Sequence, residues 1–259
     1  MPLSGFYKKA LQAGAFFIMG LAAAPVPALC LSDRYDETVV IRKVQDGDTV
    51  NLSDGRKLRL IGINTPELAR DRRPSEAYAR EARAHLQDFA RQTPRWRVRW
   101  GTQKRDKYGR WLGHVFVGDT NLNADLLRQG LASVIAIPPN QWSLSCYQQQ
   151  EALARREGKG LWGRQGYKIW PATGLPKSLR DFQFVQGRVG KVVPTRKSLW
   201  LELSPQFSVR IAKEDMQYFS GQNPYNWQHR DIEVRGWLNY HKGRLQMRIR
   251  HPAAVRLID

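Results

Sequence analysis

Three short runs in the first half of this 259-residue chain hold side chains that together suit the hydrolysis of a phosphodiester. Asp46-Gly47-Asp48-Thr49 supplies two carboxylates within one turn. The stretch from Arg59 to Asn64-Thr65-Pro66-Glu67 supplies a cation, an amide oxygen and a further carboxylate. Asp106-Lys107-Tyr108-Gly109-Arg110 adds two cations beside an aromatic ring. Oxygen donors of this kind suit a hard divalent cation. A carboxylate within hydrogen-bond reach of a water can act as its general base. Arginine keeps its charge and bonds phosphate through two parallel N–H groups, which suits the growing charge of a five-coordinate transition state. Each run also has a plainer reading on its own. Asp-Gly-Asp is a common turn, Glu67 a surface carboxylate after a proline, and Arg59 a solvent-facing strand residue near Arg56 and Lys57. The chemistry requires all three runs to converge.

Bringing them together falls to a mostly β segment. Val39–Val44 and Lys57–Ile63 alternate or run β-branched, and Ser53-Asp54-Gly55 marks a hairpin turn. Trp96–Trp100 and Trp111–Val117 read as further strands, the second ended by Gly118-Asp119. A helix is predicted from near Ser75 to about Gln92, with Tyr78, Ala82, Leu86 and Phe89 on one face and Pro74 just ahead of it. Asn121–Gln129 and Ser143–Glu157 read as two more helices, closed by Gly130 and Gly158. Five short strands with helices inserted and appended predict an OB-type barrel in a mainly β, α+β chain.

After a Gly-, Pro- and Ser-containing stretch, residues 166–181, the pattern returns to pure β. Phe184–Val193, Leu199–Leu203, Phe207–Ile211, Ile232–Leu238 and Leu245–Ile249 are five candidate strands, which predict a second small OB-like barrel over 182–259. The organisation expected is therefore a signal peptide over 1–28, a first domain over 34–165, a linker over 166–181 and the second barrel.

The N-terminus has the shape of a secretory signal. Lys8-Lys9 precede an apolar run, Ala13 to Ala24, that is short for a bilayer span, and Val26-Pro27-Ala28 or Ala22-Ala23-Ala24 would suit signal peptidase. This predicts export to the periplasm or the exterior, with an uncleaved membrane anchor as the alternative. Leu29 before Cys30 argues against a lipoprotein site. Export would permit a disulfide between the two cysteines, Cys30 and Cys146; two unrelated thiols are the other reading. Two cysteines without supporting histidine spacing do not make a structural zinc site. With 42 Lys and Arg against 23 Asp and Glu, the formal charge is +19, spread over both halves, and favours a polyanionic partner such as nucleic acid or an anionic membrane.

At the runs quoted above the chain resembles the staphylococcal nuclease (thermonuclease) family. The resemblance covers roughly Thr38 to Gly163 and continues through Asn123-Ala124-Asp125-Leu126-Leu127-Arg128-Gln129-Gly130-Leu131-Ala132 and Gly160-Leu161-Trp162. It implies one bound Ca2+, with the Asp48 carboxylate and the backbone carbonyl of Thr65 as ligands and Asp46 tuning the site through water. Asn64 stands where many members have a second aspartate ligand, so weaker metal binding is expected. Glu67 is implied as the group that activates the attacking water, Arg59 and Arg110 as the holders of the scissile phosphate, and Lys107 and Tyr108 as neighbours of the substrate's other phosphate. A tyrosine pair that some members use around the substrate falls on Ala136 and Pro138. The reaction implied is endonucleolytic cleavage of DNA and RNA, leaving 3′-phosphate and 5′-hydroxyl ends; apart from the resemblance, single strands are the expected substrate. The residues after Arg180 lie outside this resemblance and look like small bacterial OB-fold nucleic-acid-binding modules.

Two rivals stand beside that reading: a barrel that binds nucleic acid without cutting it, and a second domain that docks a partner or the cell envelope. The fragment Gly187-Arg188-Val189-Gly190-Lys191 lacks the spacing of a P-loop, and the five histidines show no metal or triad spacing. Of the aromatic residues in the second half, Trp200, Trp237 and Tyr240 are candidates for stacking on bases, against the competing role of core packing.

Overall fold

In the strand Arg95–Arg105, Trp96, Val98 and Trp100 point inward while Arg95, Arg97 and Arg99 alternate outward. Period-two patterning of this kind commits a strand to one buried face. The computed structural model describes residues 30–69 and 73–258; the segment read as a signal peptide lies outside the described residues. The first half contains β1 (Glu37–Val44), β2 (Thr49–Leu52), β3 (Lys57–Leu60), β4 (Ile63–Asn64), α1 (Ala79–Gln92), β5 (Arg95–Arg105), β6 (Trp111–Val117), β7 (Thr120–Asn121), α2 (Leu122–Arg128), β8 (Ser133–Val134) and α3 (Leu144–Arg156). The sheet runs β3-β2-β1-β5-β6-β7 and closes because β3 also pairs with β6, in parallel. This closed ring of five strands is the barrel expected from the pattern. Val50, Leu52, Leu58, Leu60, Trp96, Val98 and Val115 fill it.

Helix α1 begins at Ala79 rather than near Ser75. The intervening residues are taken by other partners: Ser75 Oγ accepts the Ala69 amide at 3.0 Å, and Glu76 exchanges bonds with the backbone of Glu67. Sequence periodicity did not register this local competition for the backbone.

The second half holds β9 (Ile169–Pro171), β10 (Phe182–Arg188), β11 (Lys191–Pro194), β12 (Ser198–Ser204), β13 (Phe207–Ala212), β14 (Asp231–His241), β15 (Arg244–Ile249) and β16 (Val255–Ile258). The order is β11-β12-β13-β15-β14-β10-β9, with β16 added beside β14. The single strand expected over Phe184–Val193 is broken at Val189-Gly190, where the chain leaves β14 and turns to β12: the Gly190 amide donates to the Glu202 carbonyl at 2.8 Å. The stretch expected as a linker is mostly exposed but is anchored to the second domain at a few points. Ile169–Pro171 pairs with β10, and Ala172 and Leu175 join the second core, because the apolar residues interspersed with its glycines and prolines have a surface to bury against.

Two devices fix the parts to one another. Cys30 and Cys146 form a disulfide with a Cα–Cα distance of 5.8 Å, tying the chain ahead of β1 to α3. Across the domain boundary, Glu151 on α3 pairs with Arg235 on β14, and Arg155 on α3 donates to Glu233 on β14 at 3.1 Å. Arg256 on β16 adds a second bond to Glu233, at 2.7 Å. Burial works to raise the Glu233 carboxyl, but Arg256 and Arg155 outweigh it and hold the group below the usual carboxylate range. Trp162, Tyr167 and Phe184 pack around the same junction, with the Arg155 guanidinium 3.8 Å from the Trp162 ring centroid. No helix among the described residues is long and apolar enough to cross a membrane.

Closing a loop of 116 residues restricts the unfolded chain, so reduction is expected to lower the melting temperature by roughly 10 °C; equal melting with and without reductant would refute the bond. Arg235→Ala leaves the buried Glu151 carboxylate with the Val134 amide at 3.1 Å and a long contact to Arg155 at 3.9 Å, and is expected to cost about 3 kcal/mol. Guanidinium denaturation measures it, and a midpoint within error of the parent chain would show that the pair does not clamp the domains.

Candidate functional site

The site begins with a buried carboxylate. Asp48, at the mouth of β2, is about 2% exposed. Its Oδ2 accepts the Thr65 amide at 3.0 Å and the Thr65 hydroxyl at 2.9 Å, its Oδ1 accepts the Thr49 hydroxyl at 3.1 Å, and the Arg59 guanidinium ion-pairs with Oδ1. These contacts tie the first run to the second across the barrel end. Gly47 makes the approach possible: a Cβ there would fall 2.6 Å from the Ala82 Cβ on α1 and 2.8 Å from the Thr65 hydroxyl. Asp46, also buried, accepts the Asp48 amide at 3.1 Å.

Arg59 on β3 is held at several points. Besides Asp48, it donates to the Asn64 side-chain oxygen at 3.2 Å and to the Ile63 carbonyl at 3.3 Å. Burial, helped by the neighbouring charge of Arg110, pushes its pKa down to about 10, so it remains a cation at neutral pH. Thr65 is buried behind it, and Glu67 emerges into solvent just after the proline. The Glu67 backbone is anchored on both sides: its amide donates to the Glu76 carboxylate and its carbonyl accepts the Glu76 amide, each at 2.9 Å.

The third run is a turn organised by one carboxylate. Asp106 Oδ1 accepts the amides of Tyr108 at 2.9 Å and Arg110 at 3.0 Å, while Oδ2 accepts Arg110 Nε at 2.7 Å. Gly109, at φ +80°, supplies the left-handed residue that this turn requires. Arg110 is thereby held through Nε. Tyr108 is 72% exposed, with Lys107 Nζ 4.9 Å and the Arg110 guanidinium carbon 5.5 Å from its ring centroid.

The three runs share a surface. A cavity of about 750 Å3 is walled by Arg59, Asn64, Glu67, Lys107, Tyr108 and Arg110. A smaller one of about 320 Å3 adjoins Asp46, Thr49, Arg59, Glu67, Tyr108 and Arg110. Asp48 and Thr65 lie behind Arg59 rather than on either wall. The Ala136 and Pro138 positions leave that wall to Ile135 and Ile137. The clamping role of Asp106 was not foreseen from the sequence, although an acidic residue four places before an arginine in a tight turn is a legible signal for it. Nor was the extension of the larger cavity to Arg248 and Arg250 of the second domain.

The oxygen set is therefore two carboxylates, an amide and main-chain carbonyls, beside two arginines and an exposed carboxylate. Among the described residues no group of three or more His, Cys, Asp or Glu gathers for a metal. Asn64 in place of a third acidic donor fits that finding.

The staphylococcal nuclease homologue family model matches residues 57–164. The thermonuclease of Staphylococcus intermedius is 31% identical over 140 residues, covering 51% of this chain and 80% of that protein. The thermonuclease of Staphylococcus hyicus is 30% identical over 146 residues, covering 54% of this chain and 84% of its own length. Endonuclease YhcR of Bacillus subtilis is 26% identical over 193 residues, 70% of this chain but 15% of that larger protein. On this sequence similarity, together with the closed five-stranded barrel, the chain belongs to the staphylococcal nuclease family.

Proposed function

We propose that the chain is an exported, calcium-dependent endonuclease that cleaves DNA and RNA to 3′-phosphate and 5′-hydroxyl ends, with single strands favoured. That it is a phosphodiester hydrolase of the nuclease kind follows from its family; the metal, the ends and the export are the proposal. One observation carries it: Arg59, Glu67 and Arg110 wall the same two cavities, directly in front of the buried Asp48.

On this reading Arg59 and Arg110 grip the non-bridging oxygens of the scissile phosphate. Each is already oriented by a carboxylate, Asp48 and Asp106 respectively. Pre-oriented donors need little rearrangement as charge builds on the phosphate. Glu67 takes the proton of the attacking water, and its anchored backbone limits where the carboxylate can reach. Lys107 and Tyr108 lie along the next phosphate. The donor set suits a hard cation, being all oxygen with no nitrogen or sulfur. Asp48, the Asn64 side-chain oxygen and the Thr65 carbonyl would hold Ca2+, with Asp46 behind them. The ion would supply positive charge against the phosphate. The disulfide supports export, since such bonds persist in oxidising compartments. The domain division proposed is a nuclease barrel over 34–165 and an OB-like nucleic-acid module over 182–259, joined by 166–181. Catalysis is favoured over binding alone because both arginines and the glutamate are in place.

Cleavage of single-stranded DNA tests the reading. Calcium is expected to support cutting better than magnesium, chelator to abolish it, and Glu67→Gln to lower turnover by at least about a hundredfold with unchanged melting. Undiminished turnover in Glu67→Gln would remove this mechanism. Asn64→Asp adds a charged donor and is expected to tighten calcium binding about tenfold, read as a larger calcium-induced melting shift. A smaller shift than in the parent chain would show that position 64 does not face the ion.

A further inference from the structure

The larger cavity does not end at the nuclease barrel. Its far wall is Trp237 on β14 with Arg248 and Arg250 at the end of β15. Trp237 is 48% exposed, on the opposite face of the strand from the buried Leu238 that follows it. The two arginines are aimed by one buried carboxylate. Asp215, about 1% exposed, accepts Arg248 Nε at 3.2 Å and Arg250 Nε at 3.2 Å through its two oxygens. Arg248 is further braced by Glu214, at 2.9 Å. Counting the whole cavity wall, five cationic side chains face two carboxylates.

Strand register carries the same face onward. Arg248 is paired with Arg210 on β13, and Arg210 with Trp200 on β12. Directly paired residues project to the same side of a sheet. Their sequence neighbours Ile249, Ile211, Val209, Leu199 and Leu201 are all buried in the second core, so this row faces outward. Arg210, like Arg248 and Arg250, is held through Nε, here by the Ser198 hydroxyl at 2.7 Å. Trp237 lies at the other end, one residue before Leu238, which pairs with Met247. The result is a row of tryptophan, arginine, arginine and tryptophan across β12, β13, β15 and β14, spanning roughly 15 Å at ~4.8 Å per strand. It opens into the cavity that holds Arg59 and Arg110.

Rings flanking fixed guanidinium groups suit one class of ligand, a single-stranded polynucleotide with its bases unstacked: rings stack on bases and arginines bond phosphates. A duplex would keep its base faces hidden. We infer that the second β domain is a continuation of the nuclease cleft, on which single-stranded polynucleotide leaving the Arg59–Arg110 site lies across Trp237, Arg248, Arg210 and Trp200. This deepens the proposed nuclease reading by assigning where a long substrate is held.

Anisotropy of 5′-fluorescein dT4 and dT16, measured on the full chain in chelator, tests it without cleavage. The parent chain is expected to bind dT16 at least ten times more tightly than dT4. Trp237→Ala and Trp200→Ala are each expected to weaken dT16 binding about tenfold, with Trp237→Tyr restoring most of the loss. Arg210→Gln should lower the salt dependence of dT16 binding by about one phosphate contact. Equal dT16 affinity in parent and variants overturns the inference. So does loss of binding to phosphatidylserine vesicles in Trp237→Ala while dT16 binding is unchanged, which would assign the row to anionic membrane. Because nothing is cut, a chain that fails to cleave with calcium yet shows this pattern refutes the catalytic reading alone. A chain that cleaves dT16 without the pattern refutes the extension alone.

Discussion

A carboxylate sealed inside a protein must be neutralised, and at Asp48 that requirement organises the nuclease end of the molecule. Water is excluded from it, so its charge is met by two bonds from Thr65, one from Thr49 and the Arg59 guanidinium. Each partner comes from a different part of the chain: Thr49 begins β2, Arg59 lies on β3, and Thr65 follows β4. Satisfying one buried group therefore fixes the relative positions of three segments. It also carries Arg59 to the cavity wall. The same logic recurs at Asp106, which shapes a turn and orients Arg110, and at Asp215, which aims Arg248 and Arg250. In all three places an acidic residue determines where an arginine points, and so where the phosphate contacts proposed above would form. Fixing the cation in advance removes the rotamer entropy that a free arginine would lose on binding.

The cleft spans two domains, so it exists only if they hold a constant relation. Interfaces between domains of one chain are commonly polar and permissive of movement. Here the contact contains the ion pairs Glu151–Arg235 and Arg155–Glu233 together with the Trp162, Tyr167 and Phe184 cluster. Buried pairs of this kind add little net stability compared with apolar packing, but they penalise a slipped arrangement heavily. Their contribution is to specify one docking geometry, and that geometry places Trp237 and Tyr108 on the wall of one cavity.

Much of the first barrel was legible because its strands are amphipathic with period two. Trp111–Val117 was read with its observed bounds, and the helices α2 and α3 differ by one residue at each end. The site runs were legible because their residue types are chemically unusual in combination. Three features were not. The delayed start of α1 comes from long-range bonds by Ser75 and Glu76, to which a local pattern is blind. The anchoring of Ala172 and Leu175 in the second core depends on a surface that the chain builds only later. The row from Trp200 to Trp237 is a matter of register between strands: Arg210 and Arg248 are 38 positions apart in sequence and adjacent in the sheet. Trp200 and Trp237 could be singled out as candidate stacking residues, but what joins them could not.

Charge adds a final constraint. The surplus of +19 draws polyanions toward the whole surface, but salt screens exposed charges beyond about 8–10 Å. Long-range attraction alone would hold nucleic acid anywhere and in any orientation. Orientation has to come from short-range contacts that exclude other poses, and on the reading proposed those come from the carboxylate-clamped arginines of the cavity wall. The clamping has a consequence for the metal site as proposed. Every carboxylate near the phosphate repels it, so a site rich in acidic ligands holds its ion tightly at the expense of the substrate. Asn64 gives up one negative charge at that point and still offers an oxygen, which Arg59 already uses at 3.2 Å. On that reading the exchange would shift the site toward holding the phosphate and away from holding the ion. A cleft lengthened by the second domain fits that balance, because substrate retention then rests on many phosphates and bases rather than on the scissile one.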